Sequence, residues 1–213
     1  MSSAAQVIDL SSLAERLVTG VGEGRQIIAL AGPPGAGKSH TASELEAALI
    51  AKGTSAAILP MDGYHFDDAV LNARGALARK GAPDTFDVAG LWQMLHRLRQ
   101  NNEPEVAVPV FDRDLEISRA GARIIPQSVD LLLVEGNYLL FDQAPWGALG
   151  AYFDVTVLVT APEAILRERL VQRWRDARMT PDEITRKIEG NDLPNCREVL
   201  AKSRAADFVI ENG

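Results

Sequence analysis

The segment Gly32-Pro-Pro-Gly-Ala-Gly-Lys-Ser39 has the spacing of a phosphate-binding loop, or P-loop. Glycines let backbone N–H groups surround phosphate oxygens, and a helix that begins there adds the positive end of its dipole. In this pattern the lysine reaches the β- and γ-phosphates, and the serine hydroxyl can ligate Mg²⁺. We therefore predict that a nucleotide contacts nine consecutive residues: Gly32, Pro33, Pro34, Gly35, Ala36, Gly37, Lys38, Ser39 and His40.

A P-loop also needs an acidic side chain at the end of a neighbouring strand, where it holds the metal ion or its waters. The run LLLVEG places Glu135 at the end of an apolar segment, whereas Asp130 lies at its start. An ordinary charged strand end is the alternative. Because ligands of open parallel sheets lie beyond the carboxyl ends of the strands, we expect Glu135 to join Ser39 at a magnesium site.

The segment PMDGYHFDD crowds aromatic, histidine and aspartate side chains directly after a short apolar run. Asp62 is the first carboxylate after that run, so it could accept a proton from a hydroxyl group, ligate the metal, or do both. Tyr64 and His65 could line a pocket for the molecule that carries the hydroxyl group. The alternative is a hydrophobic lid, and we expect Asp67 and Asp68 to be solvated.

Three further segments could face the same site, namely ARKGAPDTFD, PVFDRD and the arginine-rich RERLVQRWRDAR. Arginine suits this place because its guanidinium group binds phosphate through two parallel hydrogen bonds. A solvated basic face is the alternative for any single arginine. The further candidate residues for substrate or phosphate contact are Arg79, Lys80, Asp87, Phe111, Arg113, Arg169, Arg173 and Arg175.

Alternating strand and helix patterns must position these side chains. Five short apolar runs are typical of strands buried on both faces, at 26–31, 55–60, 129–136, 153–162 and 207–211. VAVPVF is consistent with another short strand. The intervening helices are predicted at about 9–20, 37–52, 88–100 and 163–178. This pattern predicts a three-layer α/β fold with a mostly parallel, five-stranded sheet in a single domain, 1–213.

Two capping boxes, at Ser12 with Glu15 and at Thr180 with Glu183, mark predicted helix starts.

Composition limits the classes of partner and compartment that we expect for the protein. The net charge of −7 gives no general attraction for nucleic acid or anionic lipid. The single cysteine, Cys196, fits a reducing compartment. The start MSSAAQVIDL lacks the pattern of a signal peptide, and no apolar run is long enough to span a membrane, so we expect a cytoplasmic protein. We also expect it to be a monomer or a homodimer.

The motifs in this order resemble the P-loop small-molecule kinases grouped around uridine kinase, pantothenate kinase and phosphoribulokinase. The resemblance runs from about residue 26 onward through GPPGAGKS, PMDGYHFDD, APDTFD, PVFDRD, VEGNYLL, the arginine-rich helix and NDLPN. Within this group the chain looks most like bacterial nucleoside/nucleotide kinase-like or fructose-transport-associated kinases. The resemblance implies ATP- and Mg²⁺-dependent phosphoryl transfer to a hydroxyl group of a small molecule.

The resemblance also assigns roles to residues. The family's catalytic base falls on Asp62 and its metal-associated acid on Glu135, with Lys38 at the phosphates. Its lid, at about 167–182, brings catalytic arginines that fall on Arg169 and Arg173, with Arg175 as a third candidate.

Two departures separate the chain from uridine kinases. Gly63-Tyr-His65 follows the aspartate in place of a sequence such as Ser-Phe-Tyr, and no His-Ser-Arg follows Phe111-Asp-Arg113. On resemblance alone a sugar such as fructose is the favoured acceptor, and a nucleoside, pantothenate or another vitamin-like molecule is the alternative. A nucleotide-dependent switch or adaptor is the alternative of another class, although the N-K-x-D and L-S-G-G-Q motifs of GTPases and transporter ATPases are absent.

Overall fold

The structure, a computed structural model, describes residues 5–22 and 24–213. Its strands are β1 (Gln6–Val7), β2 (Gln26–Ala31), β3 (Ala56–Pro60), β4 (Glu105–Asp112), β5 (Ile117–Pro126), β6 (Leu131–Gly136), β7 (Val155–Thr160) and β8 (Phe208–Glu211). Its α-helices are α1 (Leu10–Thr19), α2 (Lys38–Ala51), α3 (Asp68–Ala73), α4 (Val88–Gln100), α5 (Glu163–Asp176), α6 (Pro181–Lys187) and α7 (Leu193–Lys202). The prediction that a signal peptide is absent rests on the segment MSSAAQVIDL. Its first four residues lie outside the described ranges.

Six strands form one parallel sheet in the order β1-β8-β7-β2-β6-β3. The predicted α/β fold with a mostly parallel sheet is confirmed, but the predicted count of five strands is wrong. The sixth strand is β1, which pairs with β8 through Gln6 and Val7 alone. Two residues are too few to show a strand period, so the sequence pattern gave no sign of it.

Helices and loops cover both faces of this sheet. Successive residues of β2 alternate between two hydrophobic clusters, with Ile27 and Ala29 in one and Ile28 and Leu30 in the other. The first cluster is closed by the apolar stripe of α4, and the second by α1, α2 and α5. Burial on both faces explains why the central strands are continuously apolar.

The two remaining strands, β4 and β5, form a separate antiparallel ribbon. Strand β5 was not predicted, because most of its side chains are exposed and polar residues interrupt its apolar ones. The ribbon packs on the short 3₁₀ turn Met61–Tyr64 that follows β3. A Cβ atom on Gly63 would lie 2.5 Å from the Pro109 carbonyl oxygen, so only glycine allows this contact.

Helix boundaries confirm one of the two predicted capping boxes. Thr180 and Glu183 exchange both side-chain to backbone hydrogen bonds at the start of α6. Helix α1 instead begins at Leu10, and the Asp9 side chain caps it by accepting from the Ser12 backbone N–H. No helix within the described residues is long and apolar enough to cross a membrane.

We expect Gly63→Ala to lower the free energy of unfolding by about 1–3 kcal/mol, because the added methyl group must push the ribbon away from the turn. Urea unfolding of the purified protein measures this change. Gly22→Ala is the matched control, since its Cβ would meet only the Gln26 side chain at 3.6 Å, and we expect a change within about 0.5 kcal/mol. Equal stability of the two variants would show that the ribbon does not depend on close approach at Gly63.

Candidate active site

The P-loop connects β2 to α2, as its pattern predicts. Gly37 precedes the helix with a φ of +88°, a left-handed conformation that glycine adopts without strain. The Lys38 ammonium group donates to the Pro33 carbonyl oxygen at 3.0 Å, and only 8% of the residue is exposed. Burial lowers the pKa of Lys38, while the carboxylates of Glu135 and Asp62 act in the opposite direction. The lysine is therefore held inside the loop with two acids as its electrostatic partners.

Glu135 lies at the end of β6, where sheet register pairs it with Leu30 of β2 and Pro60 of β3. The Ser39 hydroxyl donates to a Glu135 carboxylate oxygen at 3.2 Å, so two of the three predicted metal ligands are in contact. Burial, and then the nearby charge of Asp62, raises the pKa of Glu135 to about 7.

The chemistry of these two groups fits Mg²⁺, which prefers oxygen ligands and binds through one or two carboxylates together with waters and substrate phosphates. No cluster of three or more histidine, cysteine, aspartate or glutamate side chains with metal-binding geometry occurs within residues 5–22 and 24–213. Ser39 and Glu135 would therefore share the ion with a nucleotide and water.

Asp62 lies in the 3₁₀ turn directly after β3, and its carboxylate forms an ion pair with Arg113 at 3.0 Å. Burial would raise the pKa of Asp62, but the neighbouring His65, Arg113 and Lys38 together hold it below its ordinary value. The carboxylate is thus ionised at neutral pH and able to accept a proton or a metal ion.

His65 is fixed by its surroundings. Its Nδ1 atom lies 2.8 Å from the Asp62 carbonyl oxygen, so Nδ1 carries the proton and donates it. Its ring lies against two phenylalanine rings, with centroid distances of 4.0 Å to Phe86 and 4.8 Å to Phe111. Burial lowers the pKa of His65, which favours the neutral ring.

Two cavities meet at Asp62. The P-loop cavity is lined by the loop, by the first turn of α2 and by Glu135. The second cavity extends from the loop to the end of α6 and the start of α7. The residues that line both are Pro34, Asp62, Arg113, Asn137 and Arg173. A group bound in one cavity would therefore lie next to a group bound in the other, with Asp62 between them.

The structure brings most of the predicted site residues to these cavities. His40 lines the P-loop cavity and pairs with Glu44 at 3.3 Å. Gly32, Pro33 and Ala36 lie in the loop without lining that cavity. The predicted residues that line the second cavity are Asp62, His65, Lys80, Phe111, Arg113 and Arg173.

Three of the residues predicted to contact the acceptor do not line the second cavity. Tyr64 is buried in the core beside α4. Asp87 instead caps α4, where its carboxylate accepts from the Gly90 N–H at 2.9 Å. Arg79 is exposed and forms an ion pair with Asp84. A helix cap and a core aromatic use the same residue types as a pocket, so the sequence does not distinguish these places.

Two arginines of α5 need separate description. Arg169 is exposed, lines neither cavity and lies 3.4 Å from the Gly35 carbonyl oxygen. Arg175, near the end of the same helix, also lines neither cavity. Only Arg173 of the three predicted lid arginines reaches the junction at Asp62.

Sequence reasoning missed several residues of the second cavity. Asn137 follows Glu135 by two positions in VEGNYLL, so its place at a strand end was a usable signal. A π-helical turn, Ile188–Asp192, joins α6 to α7 and presents Asn191 and Asp192 to the cavity. Such turns occur frequently at functional sites, but the sequence gives little sign of them.

Comparison with known proteins supports the family resemblance that the sequence motifs indicate. The model of the phosphoribulokinase / uridine kinase family matches residues 27–212. The chain is 35% identical to the uncharacterised protein YggC of Escherichia coli strain K12, over 88% of this chain and 78% of that protein. It is 31% identical to a pantothenate kinase of Sorangium cellulosum strain So ce56, over 91% of this chain and 70% of that protein.

A solved structure is also similar over nearly its whole length. A protein of Silicibacter sp. TM1040, provisionally described as a fructose transport system kinase, matches with a TM-score of 0.89 and 40% identity, covering 95% of this chain and 98% of that one. The predicted resemblance is thereby confirmed. The chain belongs to the phosphoribulokinase / uridine kinase family, and it is an ATP-using small-molecule kinase that phosphorylates a hydroxyl group.

Proposed function

We propose that this kinase transfers the γ-phosphoryl group of Mg²⁺-bound ATP to a hydroxyl group of a sugar-like molecule, such as fructose, and that Asp62 is the catalytic base. The observation that carries the proposal is the position of Asp62 in the wall of both cavities. A phosphate in the P-loop cavity and a hydroxyl group in the second cavity would meet beside this carboxylate.

The nucleotide side of the proposal rests on the P-loop contacts. Lys38 is already positioned inside the loop, so its charge need not be reorganised when phosphate binds. Ser39 and Glu135 would hold Mg²⁺, which when bound neutralises charge on the β- and γ-phosphate oxygens.

The acceptor side of the proposal rests on Asp62 and its neighbours. An ionised carboxylate can take the proton of a hydroxyl group as that group attacks, provided that the two lie within hydrogen-bonding distance. Arg113 fixes the carboxylate through an ion pair at 3.0 Å. Arg173 lines both cavities and is therefore suited to stabilise charge on the transferred group.

A sugar is favoured over other acceptors for two reasons. The solved relative at 40% identity is described in connection with fructose transport. The chain also departs from uridine kinases after Asp62 and after Arg113. Pantothenate is the second candidate, because a pantothenate kinase is 31% identical over 91% of the chain. The family relationship speaks against a regulatory switch that lacks an acceptor.

The proposal is tested by measuring ATP consumption with Mg²⁺ against a panel of acceptors. The panel contains fructose, other sugars, sugar acids, sugar phosphates, sugar alcohols, nucleosides and pantothenate. We expect a sugar to stimulate ATP consumption well above basal hydrolysis. Stimulation by pantothenate or a nucleoside alone would replace the sugar assignment, and stimulation by none of them would reject it.

Asp62→Asn should lower kcat by about 10²–10⁴-fold, because the amide cannot accept the proton of the attacking hydroxyl group. We expect the KM for ATP to change little, since the P-loop is intact. Steady-state kinetics with the best acceptor measures both values. Asp142→Asn is the matched control, because this exposed aspartate lines neither cavity. A kcat for Asp62→Asn close to that of the control would exclude Asp62 as the base.

Arg173→Gln should lower kcat by about 10²–10³-fold, as expected for removal of one group that stabilises charge in the transition state. Arg175→Gln removes the same charge from the same helix without altering either cavity, so its kcat should stay near the wild-type value. Comparable losses in both variants would indicate a general electrostatic effect of α5 rather than a direct contact by Arg173.

A further inference from the structure

The second cavity has a charge pattern that differs from that of the whole molecule. The protein carries a net charge of −7, yet four cationic side chains line this cavity against three carboxylates. The carboxylates belong to Asp62, Glu116 and Asp192. The cations are Lys80, Arg113, Arg173 and Lys187. An excess of cations in an acidic protein needs an explanation from the pairing of each group.

Two of the cations are already paired. Lys80 lies 2.6 Å from an Asp68 carboxylate oxygen and 3.7 Å from one of Glu116. Arg113 pairs with Asp62 at 3.0 Å. The charges of these two side chains are thus largely balanced by the protein itself.

The third carboxylate, that of Asp192, is engaged by another donor. It accepts the indole N–H of Trp174 at 2.5 Å and is buried in the π-helical turn. Burial raises the pKa of Asp192, while the Trp174 hydrogen bond and the charges of Lys187 and Arg173 act in the opposite direction. No ion pair within 4.0 Å joins it to a lysine or arginine in the described part of the chain.

Arg173 and Lys187 are the two cations of the cavity that form no such ion pair among the described residues. Both lie against the ring of Trp174, with the guanidinium carbon at 4.9 Å and the ammonium nitrogen at 5.2 Å from its centroid. Arg173 also lines the P-loop cavity, where the transferred phosphate would lie. Lys187 lines the second cavity but not the P-loop cavity, so a nucleotide bound in the P-loop cavity would not pair with its ammonium group.

We infer that the acceptor carries an anionic group, a carboxylate or a phosphate, in addition to the hydroxyl group that is phosphorylated, and that Lys187 binds this anion. The inference rests on the proposed function, since it names the chemical class of the acceptor in the same site. The Trp174 ring beside the ammonium group excludes water on one side, which strengthens attraction to an anion. A sugar acid or a sugar phosphate satisfies both requirements.

A structural role for Lys187 must be separated from this one. Lys187 is the last residue of α6, where a cation also interacts favourably with the helix dipole. Arg186 precedes it at the same helix end, is exposed and lines neither cavity. Arg186→Gln therefore removes an equal charge from the helix end and leaves the second cavity unchanged, which makes it the matched control for Lys187→Gln.

The experiment is isothermal titration calorimetry on protein saturated with Mg²⁺ and the non-hydrolysable analogue AMPPNP, so that the P-loop is occupied. The probes are two matched pairs, gluconate with glucose and fructose 1-phosphate with fructose. We expect the anionic member of at least one pair to bind about tenfold or more tightly than its neutral partner. Lys187→Gln should remove about that factor from the anion alone, and Arg186→Gln should not.

Each result decides the inference. Preference for gluconate or for fructose 1-phosphate identifies the anion as a carboxylate or a phosphate. Equal binding within both pairs, binding of neither member of either pair, or an anion preference that survives Lys187→Gln overturns the inference. The proposed kinase function stands in those cases if a neutral sugar still stimulates ATP consumption. Failure of AMPPNP to bind would count against the proposed function itself and would remove the inference with it.

Discussion

The site depends on the register of three parallel strands, because β2, β3 and β6 end at one edge of the sheet and place charged groups there. In the sheet register Glu135 pairs with Leu30 and Pro60, and Asp62 lies two residues after Pro60. Lys38 begins the helix after β2 and is almost fully buried. Isolated burial of any of these charges would cost several kcal/mol, so each requires the others. The attraction between these opposite charges keeps the Lys38 ammonium group near the carboxylates of Glu135 and Asp62.

The ribbon of β4 and β5 packs against the turn that follows β3, beside the edge of the sheet where the charged groups lie. Its contact with the turn at Gly63 brings Arg113 to Asp62 and Phe111 to His65. The glycine that separates this chain from uridine kinases in sequence is thus explained by packing, since a side chain there would meet the Pro109 carbonyl group. The close approach at Gly63 therefore helps to position Phe111 and Arg113, which line the second cavity.

Local patterns were enough to predict most of the residues that line the P-loop cavity. The P-loop is contiguous, and Glu135 is marked by the apolar strand before it. Residues of the second cavity were predicted where they follow a strand, as Asp62 and His65 do, or where they stand in a charged segment, as Lys80 and Arg173 do. Asp87 has the sequence appearance of a pocket residue but caps α4, and β1 is too short to leave a pattern. Asn191 reaches the cavity through the π-helical turn that follows Lys187, and the extra residue per turn of such a helix has no reliable signature.

This division has a physical basis that bears on specificity. Every nucleotide presents the same phosphates, so one continuous loop of backbone donors can bind them. An acceptor has its own shape and charge, and in the proposed function the side chains that would recognise it come from the ribbon, the segment around Lys80 and the α6–α7 junction, which line the second cavity. These segments approach one another only in the folded chain. In the proposed function, substitutions among them could change the acceptor while the contact between Ser39 and Glu135 is kept, because the two cavities share few residues besides Asp62, Arg113 and Arg173.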